Sequence, residues 1–382
     1  MNLEQLFEEF KERDLYGRYI TLDDITPLLN RLAIQNEVTV VGKSVLDKSI
    51  YQYKIGVGKT KILLWSQMHG NESTTTKAVF DFLNVLNSDS DLAHSLVSNY
   101  TFCFLPMLNP DGAALYTREN AAKVDLNRDA QLLSQPESKV LRSVFENFQP
   151  DYCYNLHDQR TIFGTEHGDL PATVSFLAPS FNESCDFNET RLKAIDVIVS
   201  INAVLKDFIP GQIGRFDDAF NLNCVGDTFQ SLGVPTILFE AGHFLGDYNR
   251  EETRKYIFMA FIAAFSEVLK NDVNFNNLDK YMNISLNKIK FYDIICKNVR
   301  LYYAGNEIIT NFALQFKEEL IQGQLHFIAY IVEIGDLLGR KGHLEYNASE
   351  VVLYNNHEQL LMQKANFNIG NNVEFVSGVL KN

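Results

Sequence analysis

From about residue 38 to residue 271, apolar runs of strand length alternate with stretches whose apolar positions recur at helical spacing. The runs VTVVGKSV, SIYQYKIG, KILLWSQM, YTFCFLPML, DYCYNLH, TVSFLAP and PTILFEA predict strands. Between and after them, TTTKAVFDFLNVL, ESKVLRSVFENF, ETRLKAIDVIVSINAVLKDF and EETRKYIFMAFIAAFSEVLKN predict helices. Two further helices open the chain. One spans residues 2–14, and the next follows Thr21, where Thr-Leu-Asp-Asp supplies a cap and early acidic residues. Such alternation predicts an α/β sheet covered by helices on both faces. Residues 272–286 are then polar and Asn-rich, which reads as a linker. Beyond them, IKFYDIICK, VRLYYAG, LHFIAYIVEIG and VEFVSGVL predict a mainly β unit. The expected division is a larger domain over 1–275, with the opening helices (1–35) included, and a smaller, mainly β accessory domain over 284–382.

A length of 382 residues suits two domains, and 46% hydrophobic with 21% charged residues is a globular balance. A net charge of −14 argues against nucleic acid or an anionic membrane as partner. No apolar run approaches the roughly 18 residues that span a bilayer, and the charged first helix has no signal-peptide core. The cytoplasm is therefore the expected compartment. The five cysteines never form a CxxC pair, which leaves a disulfide framework or a Cys-rich metal site without support.

Candidate chemistry begins at SQMHGNES, residues 66–73, directly after the strand KILLW. His69 and Glu72 lie at a strand's C-terminal end, where open α/β sheets place their sites. An imidazole and a carboxylate three apart can turn towards one ion, although this spacing is common by chance. His157, at the end of CYNL, can supply the third ligand of a catalytic site, leaving a position open for water; a hydrogen-bonded core histidine is the plainer alternative. In NPDGAALYTRENAAKVDLNRD, residues 109–129, Arg118, Asn127 and Arg128 can form an anion clamp, or else simple surface ion pairs. Glu240 ends the apolar strand of GVPTILFEAGHF, where a carboxylate needs a polar task; beside a metal it can act as general base.

Taken in order, HGNE, NPDG, RENAAKVDLNR, NLH and FEAG resemble the zinc metallocarboxypeptidases over roughly residues 40–270. The resemblance implies a mixed, mostly parallel eight-stranded sheet between helices and one Zn²⁺ per chain bound by His69, Glu72 and His157. It further implies that Arg118 stabilises the oxyanion, that Asn127 and Arg128 hold the substrate's terminal carboxylate, and that Glu240 activates water. The implied partner is a peptide or amide with a free carboxylate.

Two features depart from the family. It usually supplies a tyrosine some twenty residues before the catalytic glutamate, whereas here the stretch reads GRFDDAFN, with Phe216 in the best-fitting place and Tyr248 after Glu240 as the other candidate. His243 is also unexpected and suits either the cleft or the core. The leading expectation is hydrolysis at a C-terminal residue. Its rivals are cleavage of a non-standard amide, such as a γ-D-glutamyl peptide or an N-acyl amino acid, and a silent binding protein on the same fold. IGVGKTK, residues 55–61, resembles a phosphate loop, but Tyr53 stands where its first glycine belongs, and a Gly-rich hairpin turn is expected instead.

Overall fold

The apolar runs become the strands of a mixed sheet in the computed structural model, which describes residues 2–267, 277–303, 305–354, 357–370 and 373–381. In chain order they are β1 (Glu37–Lys43), β2 (Ser49–Ile55), β3 (Thr60–Ser66), β4 (Tyr100–Leu105), β5 (Tyr152–Asp158), β6 (Val174–Leu177), β7 (Ile213–Arg215) and β8 (Thr236–Ala241). Across the sheet the order is β1-β2-β4-β3-β5-β8-β6-β7. Its centre is parallel, β4 with β3, β3 with β5 and β5 with β8.

Both faces of the central strands are covered, which explains their continuous apolar character. Ile62, Leu64, Tyr154 and Leu156 face one core, packed by α1 (Leu3–Phe10), α2 (Leu22–Leu32), α3 (Thr74–Leu86), a helix over Glu189–Leu205 and another over Glu251–Glu267. Leu63, Trp65 and Cys153 face the other, with helices Pro136–Phe148 and Val225–Ser231. The second of the opening helices starts as expected, with Thr21 and Asp24 closing a reciprocal capping box. The first is shorter than expected. It stops at Phe10 because Glu12 is claimed by tertiary partners: its N–H donates to Asp81 Oδ1 (2.7 Å) and its carbonyl accepts from Arg254 Nη2 (2.7 Å).

The Gly-rich stretch 55–61 is not a hairpin. β4 lies between β2 and β3, so this connection crosses the end of β4. Val57 N–H donates to Val97 O and Gly58 N–H to Tyr100 O. A Cβ on Gly58 would sit 1.9 Å from the Asn99 carbonyl carbon, so close backbone approach requires glycine there.

The chain separates into two compact units, Met1–Gln159 with Thr165–Asn287, and Arg160–Gly164 with Lys288–Asn382. The boundary thus falls at Asn287, and five residues from the middle of the chain belong to the second unit. Of the expected linker, residues 272–276 lie outside the described residues, and Asn277–Met282 is a helix. The second unit is built on an eight-stranded sheet, ordered Lys341–Asn347, Phe291–Tyr303, Asn306–Ile321, Gln324–Gly335, Val379–Lys381, Val373–Val376 and Phe367–Ile369, with Val352–Leu353 pairing to Phe291–Tyr303. Two of the expected short runs there are one strand, kinked where the register slips between Cys296 and Val299 and Asn298 adopts φ +64°. No helix among the described residues is long and apolar enough to cross a membrane.

A charge pair buried within the first unit generates a stability prediction. Arg254 and Asp81 are fully buried, and the guanidinium donates to both carboxylate oxygens (2.7 and 2.6 Å) as well as to Leu15 O (2.7 Å). Asp81→Ala strands a buried cation and should cost about 3–5 kcal/mol in urea denaturation; a loss below about 1 kcal/mol would show that the pair is not structural.

Candidate metal centre

The parallel sheet delivers its chemistry at the C-terminal edge of neighbouring strands. His69 follows β3 through a turn in which Gln67 has φ +48°, and His157 is the penultimate residue of β5. Glu72 comes from the turn just before α3, its N–H donating to His69 O (3.1 Å). That turn is braced by the NPDG stretch: Asn109 N–H donates to Gln67 O (3.1 Å) and its side-chain amide to Met68 O (3.1 Å). Gly70 packs so tightly on Gly112 that a Cβ would lie 1.9 Å from its carbonyl carbon.

His69, Glu72 and His157 meet at one point and are all buried. The two Nδ1 atoms are 3.0 Å apart. Glu72 Oε1 lies 2.9 Å from His69 Nδ1, and Oε2 lies 2.8 Å from His157 Nδ1. Two imidazole lone pairs facing each other at this distance need a proton or a cation between them. Burial lowers the pKa of His69, but the charge of Glu72 and the hydrogen bond to Asp125 outweigh it and hold the imidazole above its ordinary value. The negative field that favours a proton there favours a divalent cation too. The donor set, two nitrogens and a carboxylate, suits zinc.

Around this centre, Asp125 Oδ1 is 3.1 Å from His69 Nε2, fixing the ring from behind. Arg118, half exposed, bridges Glu72 Oε1 (3.2 Å) and Asp125 Oδ2 (3.1 Å). Asp125 Oδ1 also accepts from Asn127 N–H (2.9 Å), while Asn127 Oδ1 accepts from Val225 N–H (3.0 Å). Arg128 is exposed, and its guanidinium donates to Asn127 O (2.8 Å). Glu240 stands in register with His157 on the adjacent strand β8. Its carboxyl is held well above the usual range by burial, then by the charges of Glu72 and Asp158, against the pull of Arg118 and Arg250.

Two residues outside the expected set bear on this geometry. Asp125 carries no assigned role in the sequence, although it lies seven residues after Arg118 and two before Asn127. Arg250 is fully buried, and its guanidinium donates to the carbonyls of Ala241, Gly242 and Gln159, tying the ends of β8 and β5 together. Nothing in its local sequence signals this. His243 is fully buried against the ring of Tyr248, centroids 4.8 Å apart. Phe216 directly follows β7 and donates its N–H to Phe176 O (3.0 Å).

A family model described as zinc carboxypeptidase matches residues 28–161, the stretch holding all three candidate ligands. Carboxypeptidase 2 of Trichophyton rubrum is 28% identical over 100 residues, 26% of this chain and 19% of that protein. The chain spans a quarter or less of the curated relatives it matches. Among solved structures, a metallo-carboxypeptidase from Burkholderia cenocepacia superposes with a TM-score of 0.53 at 19% identity, covering 65% of this chain and 69% of that one. Carboxypeptidase A from Helicoverpa armigera gives a TM-score of 0.51 at 16% identity, covering 70% and 79%. The resemblance read in the sequence is thus borne out in the matched stretch and in the fold.

His69→Ala should abolish stable zinc binding, read as zinc per chain by elemental analysis. Asp125→Asn leaves every donor in place but loosens the ring behind His69, and should weaken zinc about 10–100-fold in chelator competition. Unchanged affinity would show that Asp125 does not orient the ligand.

Proposed function

We propose that this chain is a zinc-dependent peptidase that releases a C-terminal residue from a peptide bearing a free carboxylate. The observation that carries the reading is the convergence of His69, Glu72 and His157 on one point, with Glu240 in register beside His157. Zinc held by those three residues would supply Lewis acidity to the scissile carbonyl and acidity to the attacking water.

The protein's own residues do the rest. Glu240, its carboxylate made a stronger proton acceptor by burial and by the neighbouring negative charges, takes the proton of the water as the oxygen attacks the carbonyl carbon. It returns that proton to the leaving amine as the C–N bond breaks, giving a shortened carboxylate and a free amino acid. Arg118 lies against Glu72 and can meet the negative charge developing on the carbonyl oxygen. Asn127 and the exposed Arg128 provide an amide and a guanidinium for the terminal carboxylate, fixing which bond is presented. All five cysteines are free thiols, consistent with a reducing compartment, and the cytoplasm is the proposed location.

Phe216, without a phenol where the family usually has one, favours including non-standard amides in the first substrate panel. With unblocked peptides, γ-D-glutamyl peptides and N-acyl amino acids as substrates, the zinc-loaded protein should cleave at least one class. Glu240→Gln should lower kcat about 10²–10⁴-fold while zinc content stays at the wild-type level. Ligand binding without turnover of any member would make the chain a binding protein on this fold.

A further inference from the structure

The helix that follows Glu72 begins without a local cap. Ser73 stands in the capping place of α3, but its hydroxyl donates to Arg18 O (2.6 Å) and makes no cap hydrogen bond. The first N–H of the helix is met from another strand instead. Asp158, 84 residues beyond Thr74 and directly after His157, accepts at Oδ2 from Thr74 N–H (3.1 Å) and from Thr74 Oγ1 (2.6 Å). Its own N–H donates to Glu72 Oε2 (3.1 Å).

These three bonds close a ring through both ligand-bearing elements. Glu72 and Thr74 are two residues apart, and Asp158 holds the carboxylate of the first and the backbone of the second. The sheet ladder already sets β5 against β3 and β8. Glu72 lies in a turn outside that ladder, so its place relative to His157 has to be fixed by side chains.

Stability alone does not call for a carboxylate in this position. Asp158 is 7% exposed, and burial pushes its carboxyl above the ordinary range against the pull of Arg250 and Arg18. Its Oδ1 has no hydrogen-bond partner among the described residues. A neutral side chain caps a helix as well, without the desolvation. What the charge adds is short, strong bonds that hold Thr74 in one place. Local conflicts of this kind gather where function is served.

We infer that Asp158 is a positioning residue for the metal centre: through Thr74 it fixes the start of α3, and so sets where Glu72 stands against His69 and His157. The inference rests on the reading of those three residues as zinc ligands, and not on the substrate.

Zinc affinity of the full chain, measured by chelator competition, is read beside the melting temperature of the metal-free protein. Asp158→Ala should weaken zinc about 10–100-fold. Thr74→Val keeps the N–H bond, loses the hydroxyl and should cost less affinity. The double variant should bind zinc no worse than Asp158→Ala alone, because both changes break one linkage. Asp158→Asn keeps an oxygen for Thr74 and should recover part of the loss. Where Asp158→Ala fails to fold, Thr74→Val and Asp158→Asn carry the test, each with measurably weaker zinc binding. A lower melting temperature with unchanged zinc affinity in the variants that fold would make Asp158 a helix cap only, and overturn the inference. Losses that add in the double variant would overturn it too, since Asp158 would then act by a route other than Thr74. A wild type that takes up no zinc would sink the metal reading itself, and the inference with it.

Discussion

Two imidazoles cannot sit 3.0 Å apart in a buried pocket unless something draws both nitrogens to the same place. Here it is the Glu72 carboxylate, which spends one oxygen on each ring, accepts from Asp158 N–H (3.1 Å) and meets Arg118. Desolvating such groups costs several kcal/mol per ion, so the cluster is stable only if each charge finds its opposite. That requirement reaches into the fold. His69 and His157 come from β3 and β5, which must be neighbours, and Glu72 must come from the turn between β3 and α3. Moving any one of these elements by a strand width leaves a buried charge alone.

Cations buried elsewhere in this acidic chain hold those elements in place. Arg250, at φ +60°, caps the ends of β5 and β8 through their carbonyls, where the ladder has run out of partners. Lys77 on α3 reaches Glu251 (2.6 Å) and Asn249 O (3.1 Å); burial, opposed by Glu251, brings its pKa down to about 8. Arg254 and Asp81 join the same two helices from within. The helix that follows Glu72 is thus fastened by ionic contacts as well as by its apolar face, which suits a residue whose position matters to within a few tenths of an ångström.

The candidate ligands His69 and His157 were legible because strand ends announce themselves: an apolar run stops, and a histidine stands where it stops. Glu240 was legible for the same reason. Asp125 was present in the Asp-Leu-Asn-Arg stretch, yet its role depends on the back side of His69, which only the fold brings near. The stretch around Gly56 and Gly58 was misread as a hairpin because glycine reports a tight backbone without saying which strand lies alongside. Phe291–Tyr303 read as two pieces because Lys297 and Asn298 interrupt its apolar run, and a bulge absorbs both without ending the strand. Arg250 was invisible, since its partners are carbonyls, which every residue carries.

The assignment of Arg160–Gly164 to the second unit has a consequence for how the chain is made. This pentapeptide continues directly from the strand bearing His157, but its partners come much later in the chain: Ile162 O accepts from Lys290 N–H, and Thr161 O lies 2.8 Å from His343 Nε2. At translation rates of about 5–20 residues per second, those partners emerge on the order of ten seconds after it. During vectorial synthesis the exit of β5 therefore hangs from an unpaired segment while most of the first unit is already available to fold. The last element of the nascent protein to settle is tethered to the residue that completes the candidate metal centre.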